Sequence, residues 1–253
     1  MQTGKGDFYF GTSGLIVPIN KRDFPPEFKD SSRLNYYAAI CNSIEINSSF
    51  YKLPMTATVN KWANDVPASF RFTFKLWRGI THNKGLVFND DDVTRFMNVV
   101  NHAGDKKGCI LVQFPPGVTA AERAQLSRLL AVINDANEAQ QWNIAVEFRH
   151  RSWYNDDIYE LLTGFGAGLV IQDMPASATP PILTAANFVY LRFHGPSGNY
   201  KGSYGDELLY EYSHYISEWR HDGMDVYTYF NNTAGDAWNN LTALAAHVNE
   251  QGL

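Results

Sequence analysis

The 253-residue sequence is poor in cysteine, has no excess of basic residues and contains no long apolar run. Cys41 and Cys109 are its only cysteines. Two are too few for a disulfide framework or a cysteine zinc site, so we expect reduced core residues. The formal net charge of −5 disfavours a broad electrostatic contact with nucleic acid, though not a local basic site. No stretch approaches the roughly 20 apolar residues of a membrane span. We therefore expect no membrane partner and a cytoplasmic location.

Several local catalytic motifs are also missing. The first predicted strand is not followed by a dinucleotide-binding turn, because Gly11-Thr12-Ser13-Gly14 lacks the required glycine spacing. The chain has no HExxH-like metal motif and no nucleophile elbow. We accordingly expect no cofactor and no tightly held metal ion.

What the sequence does contain is an alternation of short apolar runs with longer helical patterns. The predicted strands are 8–11, 43–46, 70–76, 108–114, 144–148, 168–171, 188–193 and 226–230. Helical periodicity predicts helices over 33–41, 56–65, 90–100, 121–133, 155–163, 206–219 and 238–248. Thr56 is expected to cap the second helix. The apolar stripe of the sixth is expected at Leu208, Tyr212, Tyr215 and Trp219.

Strands that alternate with helices predict βαβ units and a parallel sheet. Eight such strands favour one α/β domain over residues 1–253, a TIM-type (β/α)8 barrel. Segment 174–187 is rich in Pro and Ala and shows no helical stripe, so we expect a loop to replace one outer helix there. The alternative is a doubly wound open sheet, which the missing dinucleotide turn disfavours.

Each predicted strand begins apolar and ends in polar or ionisable residues. In a barrel these ends converge on one rim, where barrel active sites are built. Residues two apart in a strand share a face. The same-face pairs are Glu45 with Asn47, Glu147 with Arg149, and Arg192 with His194. The strand-end residues are Glu45, Asn47, Lys75, Gln113, Glu147, Arg149, Asp173, Arg192, His194, Asn231 and Asn232.

Lys75, Arg149 and Arg192 predict an anionic ligand, because arginine suits bidentate recognition of phosphate or carboxylate. Glu147 is the predicted general acid or base, with Glu45 or His194 as its partner. The remaining strand-end residues are assigned to substrate binding, together with two loop residues. The loop residues are His82 and Trp153. Buried ion pairs that close the barrel top are the structural alternative.

The favoured function is an enzyme of the hydrolase, lyase or isomerase class that acts on a small phosphorylated or carboxylated sugar or nucleoside. One alternative is a metal-dependent nucleic-acid hydrolase, with Glu45, Glu147, Asp173 and His194 as ligands. Glu45 and Glu147 would also suit glycoside cleavage. A further alternative is a non-catalytic protein that binds an anionic ligand.

The strand ends also resemble those of the bacterial and archaeal family called domain of unknown function 72. The matching stretches run in family order along almost the whole chain and include 44–51, 80–82, 113–116, 145–153, 190–195 and 230–232. The resemblance implies a TIM-type barrel and no established activity. Leu15 stands where the family usually has Trp, so an aromatic contact at that position is not expected. Likeness to metal-dependent barrels that act on sugars or abasic DNA is an analogy of fold.

Overall fold

The computed structural model describes residues 4–137, 141–180 and 182–251, an α/β fold with parallel sheets. Its strands are β1 (Phe8–Thr12), β2 (Ser43–Ile46), β3 (Arg71–Lys75), β4 (Lys107–Gln113), β5 (Asn143–Glu147), β6 (Gly168–Leu169), β7 (Ile171–Gln172), β8 (Phe188–Phe193) and β9 (Asp225–Phe230). Its α-helices are α1 (Arg33–Ala38), α2 (Ser48–Tyr51), α3 (Thr56–Asn64), α4 (Arg78–Thr81), α5 (Asp90–Val100), α6 (Arg123–Ala136), α7 (Asp156–Gly164), α8 (Asp206–His221) and α9 (Ala237–Gln251). Among the described helices, none is both long enough and apolar enough to span a membrane.

The strands pair in the order that a (β/α)8 barrel requires. One hydrogen-bonded sheet has the order β1-β9-β8-β7, and the other has the order β2-β3-β4-β5-β6. β6 and β7 are two parts of one predicted strand, interrupted only at Val170. The amide of Val170 donates to the carbonyl of Val146 at 2.9 Å, so this strand belongs to both sheets. The predicted barrel is confirmed, with its ladder divided into two sheets.

Side chains close the gap between β1 and β2 in place of a continuous ladder. Asn42 accepts a hydrogen bond from the Phe10 amide at 2.8 Å and donates to a β1 carbonyl at 2.7 Å. The Tyr37 hydroxyl accepts from the Thr12 amide at 2.7 Å and donates to the Ser43 carbonyl at 3.2 Å. Because these groups are largely removed from water, each needs such a partner.

At the rim, β1 and β2 meet directly. Ser13 forms a parallel bridge with Glu45, and the Gly14 amide donates to the Glu45 carbonyl at 2.8 Å. Below this point the strands pass so closely that a Cβ on Gly11 would lie 2.1 Å from the Ser43 carbonyl oxygen. Glycine at position 11 therefore permits the approach on which closure depends.

A loop replaces the outer helix over the described part of 174–187, as predicted, while Pro181 lies outside the described residues. The loop supplies hydroxyls to the other junction between the sheets. Thr184 accepts from a β6 amide at 3.3 Å, and Thr179 donates to the Val170 carbonyl at 2.7 Å. The loop thus satisfies backbone groups at the point where the strand passes between sheets.

Two buried layers occupy the faces of the strands. The larger packs strands against the outer helices, and the smaller is rich in tyrosine and includes Tyr9, Tyr190, Tyr227 and Tyr229. Successive side chains of a strand point to opposite faces, so this smaller layer is the one that fills the barrel interior. Both cysteines are buried and free.

Two local predictions were wrong. Met55, not Thr56, holds the N-cap position of α3, and no side chain caps it. In α8 the buried positions are Leu209, Ser213, Ile216 and Ser217, whereas Leu208 and Tyr215 are 38% and 41% exposed. Tyr212 and Trp219 only flank this face. The small side chains of Ser213 and Ser217 allow α8 to pack closely against its neighbours. The predicted aromatic stripe therefore lies at the edge of the buried face of α8 rather than at its centre.

We predict that Tyr37→Phe lowers the free energy of unfolding by about 1–3 kcal/mol, because it leaves buried backbone groups without a partner. Tyr210→Phe is the control, since Tyr210 is 47% exposed, and it should change stability by less than about 0.5 kcal/mol. Urea denaturation measures both. Equal stability of the two variants would contradict the proposed closure by Tyr37.

Candidate functional site

Arg192 of β8 lies at the centre of a buried charge network. Its guanidinium binds Glu45 through two hydrogen bonds, Nη2 to Oε1 at 2.7 Å and Nε to Oε2 at 3.0 Å. Its Nη1 donates to Glu147 Oε2 at 2.9 Å. The hydroxyls of Ser13 and Tyr190 each donate to Glu45 at 2.6 Å. Each oxygen of Glu45 therefore accepts two hydrogen bonds.

Glu147 and His194 continue the network toward Arg149. Arg149 Nε donates to Glu147 Oε1, and Arg149 Nη2 lies 2.8 Å from His194 Nε2. Asp173 Oδ1 accepts from the His194 amide at 2.8 Å and lies 3.2 Å from His194 Nδ1. Because arginine can only donate, Nε2 must accept and the imidazole proton is assigned to Nδ1.

The charges in this network are fixed by their neighbours. Burial would raise the pKa of both glutamates, but the guanidinium of Arg192, joined by Arg149 beside Glu147, holds both pKa values below the usual range. Burial lowers the pKa of His194, and the hydrogen bond to Asp173 only partly offsets it. At neutral pH both glutamates are therefore carboxylates, and the imidazole of His194 is neutral.

An open pocket of about 480 Å³ lies beside this network, at the carboxyl ends of the strands. Its polar lining includes Lys75, Arg78, His82, Gln113 and Arg149. No carboxylate belongs to the lining among the residues that the structure describes. Arg149 is the link between the pocket and the network below, in which Glu45, Glu147 and His194 are wholly buried.

Lys75 is the cation of this pocket whose charge is least supported. Its Nζ lies 4.2 Å from the centre of the Phe50 ring, and it forms no ion pair with any described carboxylate. Burial and repulsion from Arg192 lower the pKa of Lys75 to about 7, although Glu147 acts in the opposite direction. Burial and nearby Lys75 also lower the pKa of His82, to about 4.

Exposed tyrosines flank the pocket. Tyr51 is 68% exposed and Tyr200 is 42% exposed. Tyr200 adopts φ +64°, an unfavourable conformation for a residue with a bulky side chain. Its amide donates to the His194 carbonyl at 2.8 Å, which helps to hold it there. Such a strained residue at a pocket points to a functional requirement for its placement.

The structure brings most of the predicted site residues together in two layers. Glu45, Glu147, Asp173, Arg192 and His194 form the lower network, and Lys75, His82, Gln113 and Arg149 line the pocket. Glu147 is wholly buried outside the pocket lining, and each of its oxygens accepts from an arginine, so the geometry favours a positioning role for it. Its assignment as an acid or base stays a prediction.

The other predicted ligand contacts lie elsewhere. Trp153 is fully buried, stacks with Phe114 and Phe148, and donates to the Val118 carbonyl at 2.9 Å. This position makes Trp153 a core residue and corrects its placement in the substrate site.

The asparagines also lie outside the pocket lining. Asn232 is buried and donates to Gly202 and Asn240, each at 3.0 Å, so it joins the preceding loop to α9. Asn231 donates its amide to the Phe193 carbonyl at 2.7 Å. Asn47 precedes α2, and its buried Oδ1 has no hydrogen-bond partner among the described atoms.

Sequence reasoning missed Arg78, which lines the pocket from the first residue of α4. The available signal was its position three residues after Lys75, in a turn that follows a strand end. Met174 and Ser177 were likewise missed, because they belong to a loop with no periodicity.

The lower network also bears on metal binding. Within residues 4–137, 141–180 and 182–251, no group of three or more His, Cys, Asp or Glu side chains is arranged to hold a metal ion. Arginine occupies the oxygen atoms that a metal would need. The expectation of no tightly held metal stays a prediction.

Comparison with known proteins places the chain among proteins of similar fold. The UPF0759 protein YunF of Bacillus subtilis (strain 168) is 26% identical, with 84% of each protein covered. The DUF72 family protein EF0366 of Enterococcus faecalis V583 superposes with a TM-score of 0.78 at 23% identity, covering 96% of this chain and 95% of that one. For TM1631 of Thermotoga maritima MSB8 the TM-score is 0.74 at 24% identity, with 96% and 99% covered.

These structures support the fold, and the family follows from the sequence. The family described as "Protein of unknown function DUF72" matches residues 9–253. The resemblance seen at the strand ends is confirmed: this chain belongs to the DUF72 family.

Proposed function

We propose that the rim pocket binds a small anionic molecule, phosphorylated or carboxylated, and that the protein is an enzyme that acts on it. The observation that carries this proposal is the separation of charge into two layers. Glu45 and Glu147 are balanced by Arg192 and Arg149 within the network. Lys75 and Arg78 are left in the pocket without a carboxylate among the described lining residues.

The pocket also suits a ligand that carries a ring. Its volume of about 480 Å³ falls in the range typical of small-molecule sites. Tyr51 and Tyr200 present aromatic faces beside the basic groups, and aromatic rings stack on sugars and bases. A sugar phosphate, a nucleoside phosphate or a sugar acid combines these features.

Within this site the residues divide their roles. Arg149 and Arg78 bind the anionic group, and Glu147 positions Arg149 from below. Lys75 is the acid or base, because a group with a pKa near 7 exists in both protonation states at neutral pH. Proton transfer of this kind serves hydrolases, lyases and isomerases. Turnover of sugar phosphates would distinguish an enzyme from a protein that only binds them.

We predict that inorganic phosphate raises the melting temperature of the protein. At a concentration about 100 times its Kd, a ligand that binds only the folded state adds about 2.7 kcal/mol of stability. Thermal melts recorded with and without phosphate measure this shift.

Arg78→Met tests the location of that phosphate site. Arg78 is exposed and takes part in no ion pair among the described residues, so the variant should fold normally. It should bind phosphate about tenfold less tightly, as expected for the loss of one charge-assisted hydrogen bond. Arg22→Met, whose side chain is 82% exposed, is the matched control. If Arg78→Met and Arg22→Met respond to phosphate equally, the proposed site is wrong.

We predict that Glu147→Gln destabilises the protein by about 3–5 kcal/mol, because two arginines lose a buried carboxylate. The loss should depend on pH. Since folding depresses the pKa of Glu147, its contribution is fully present above the unfolded value of about 4.3 and is lost progressively as pH falls from there toward the lower folded pKa. Thermal unfolding from pH 3 to pH 8 should show the two proteins converging at the acid end.

The same variant separates a positioning role from direct catalysis. A Glu147→Gln protein as stable as wild type, but unable to turn over a substrate, would restore Glu147 as the acid or base. A strongly destabilised protein with weakened phosphate binding would support its role beneath Arg149.

A further inference from the structure

Among the residues that the structure describes, no carboxylate pairs with the amine of Lys75, although other cations line the same pocket. Lys75 lines the pocket together with Arg78 and Arg149 and lies against the face of Phe50. Resting on the proposed function of this pocket, we propose that Lys75 forms an imine with the carbonyl group of an anionic aldehyde or ketone.

The geometry supplies what such a nucleophile needs. An amine held in an ion pair is protonated and unreactive, but the nearby carboxylates of Glu45 and Glu147 are already bound by arginine. Phe50 shields the Lys75 amine from water on one side. Arg78 and Arg149 hold the ligand's anion in the same pocket, so a carbonyl group on that ligand is kept near the amine.

The surrounding charges keep much of the amine neutral. Burial and the positive charges of Arg192 and Arg149 disfavour the ammonium form, and Glu147 and Glu45 only partly compensate. The resulting pKa of Lys75, about 7, leaves a substantial fraction of the amine free at neutral pH. An ordinary lysine, with a pKa of about 10.4, has far less than one per cent in that form.

The step balances without an oxidant or reductant. The nitrogen lone pair attacks the carbonyl carbon, and a proton passes from nitrogen to oxygen to give a carbinolamine. The C–O bond then breaks with uptake of one proton, which releases water and leaves a cationic iminium. The anionic group of the ligand offsets this charge. An iminium withdraws electrons from the neighbouring carbon and so assists cleavage of a C–H or C–C bond there.

Reductive trapping on the intact protein tests the proposal. Wild-type protein is incubated at pH 7 with glyceraldehyde 3-phosphate and sodium cyanoborohydride, and modified lysines are located by peptide mass mapping. Labelling at Lys75 should exceed that at any other lysine by at least about tenfold, because its free-amine fraction is far larger. Inorganic phosphate should suppress it, and uncharged glyceraldehyde should label Lys75 more slowly.

Matched variants and a pH series sharpen the result. Lys75→Met should lose the selective adduct, and Lys52→Met, which removes an exposed lysine near the rim, should retain it. Labelling of Lys75 should level off just above pH 7, whereas labelling of an ordinary lysine continues to rise toward pH 10. The wild-type map and its competition by phosphate remain decisive if Lys75→Met does not fold.

The outcomes for imine formation and for the proposed function can be told apart. If phosphate binds in an Arg78-dependent manner but Lys75 is labelled no faster than Lys52, imine formation is overturned and the anion site stands. If phosphate neither binds nor protects, and labelling is uniform, both proposals fail. Selective labelling that phosphate suppresses supports both.

Discussion

Arg192 carries a positive charge from β8 into the interior of the barrel, and its two carboxylate partners come from the opposite sheet. Glu45 lies on β2 and Glu147 on β5, and both strands belong to the five-stranded sheet. Burial of any one of these charges alone would be strongly unfavourable. The three groups therefore hold one another in place, and the sheets on which they lie are held together with them.

The buried ion pairs also determine how charge is arranged in the pocket above them. Because Glu147 is fixed by Arg192, it can fix Arg149, whose guanidinium reaches both His194 below and the pocket lining. The carboxylates are neutralised one layer beneath the pocket. Positive charge is thereby concentrated in the open layer, and Lys75 is left in a place where its ammonium form is poorly supported. The proposed anion recognition and the proposed reactive amine both rest on this one arrangement.

Much of this could be predicted from the sequence, because it depends on local periodicity. Alternation along the chain identified the strands, and polar residues at their ends identified the rim. How deeply each side chain is buried could not be predicted from local periodicity. Trp153 looked like a ligand contact, yet it is buried in an aromatic stack, and Glu147 looked accessible, yet both its oxygens are occupied. These differences arise from contacts between residues far apart in the chain. The same holds for Tyr37, whose hydroxyl closes the gap between β1 and β2.

The loop that replaces an outer helix performs two separate tasks along its length. Met174 and Ser177 form part of the pocket wall, whereas Thr179 and Thr184 satisfy backbone groups where β6 passes into β7. The two parts are joined by shared partners, because the Tyr154 hydroxyl donates to the Ser177 carbonyl and also lies within hydrogen-bond distance of the Thr179 hydroxyl. The segment can therefore vary at Met174, which lines the pocket wall, while the buried ions that hold the two sheets together remain the same.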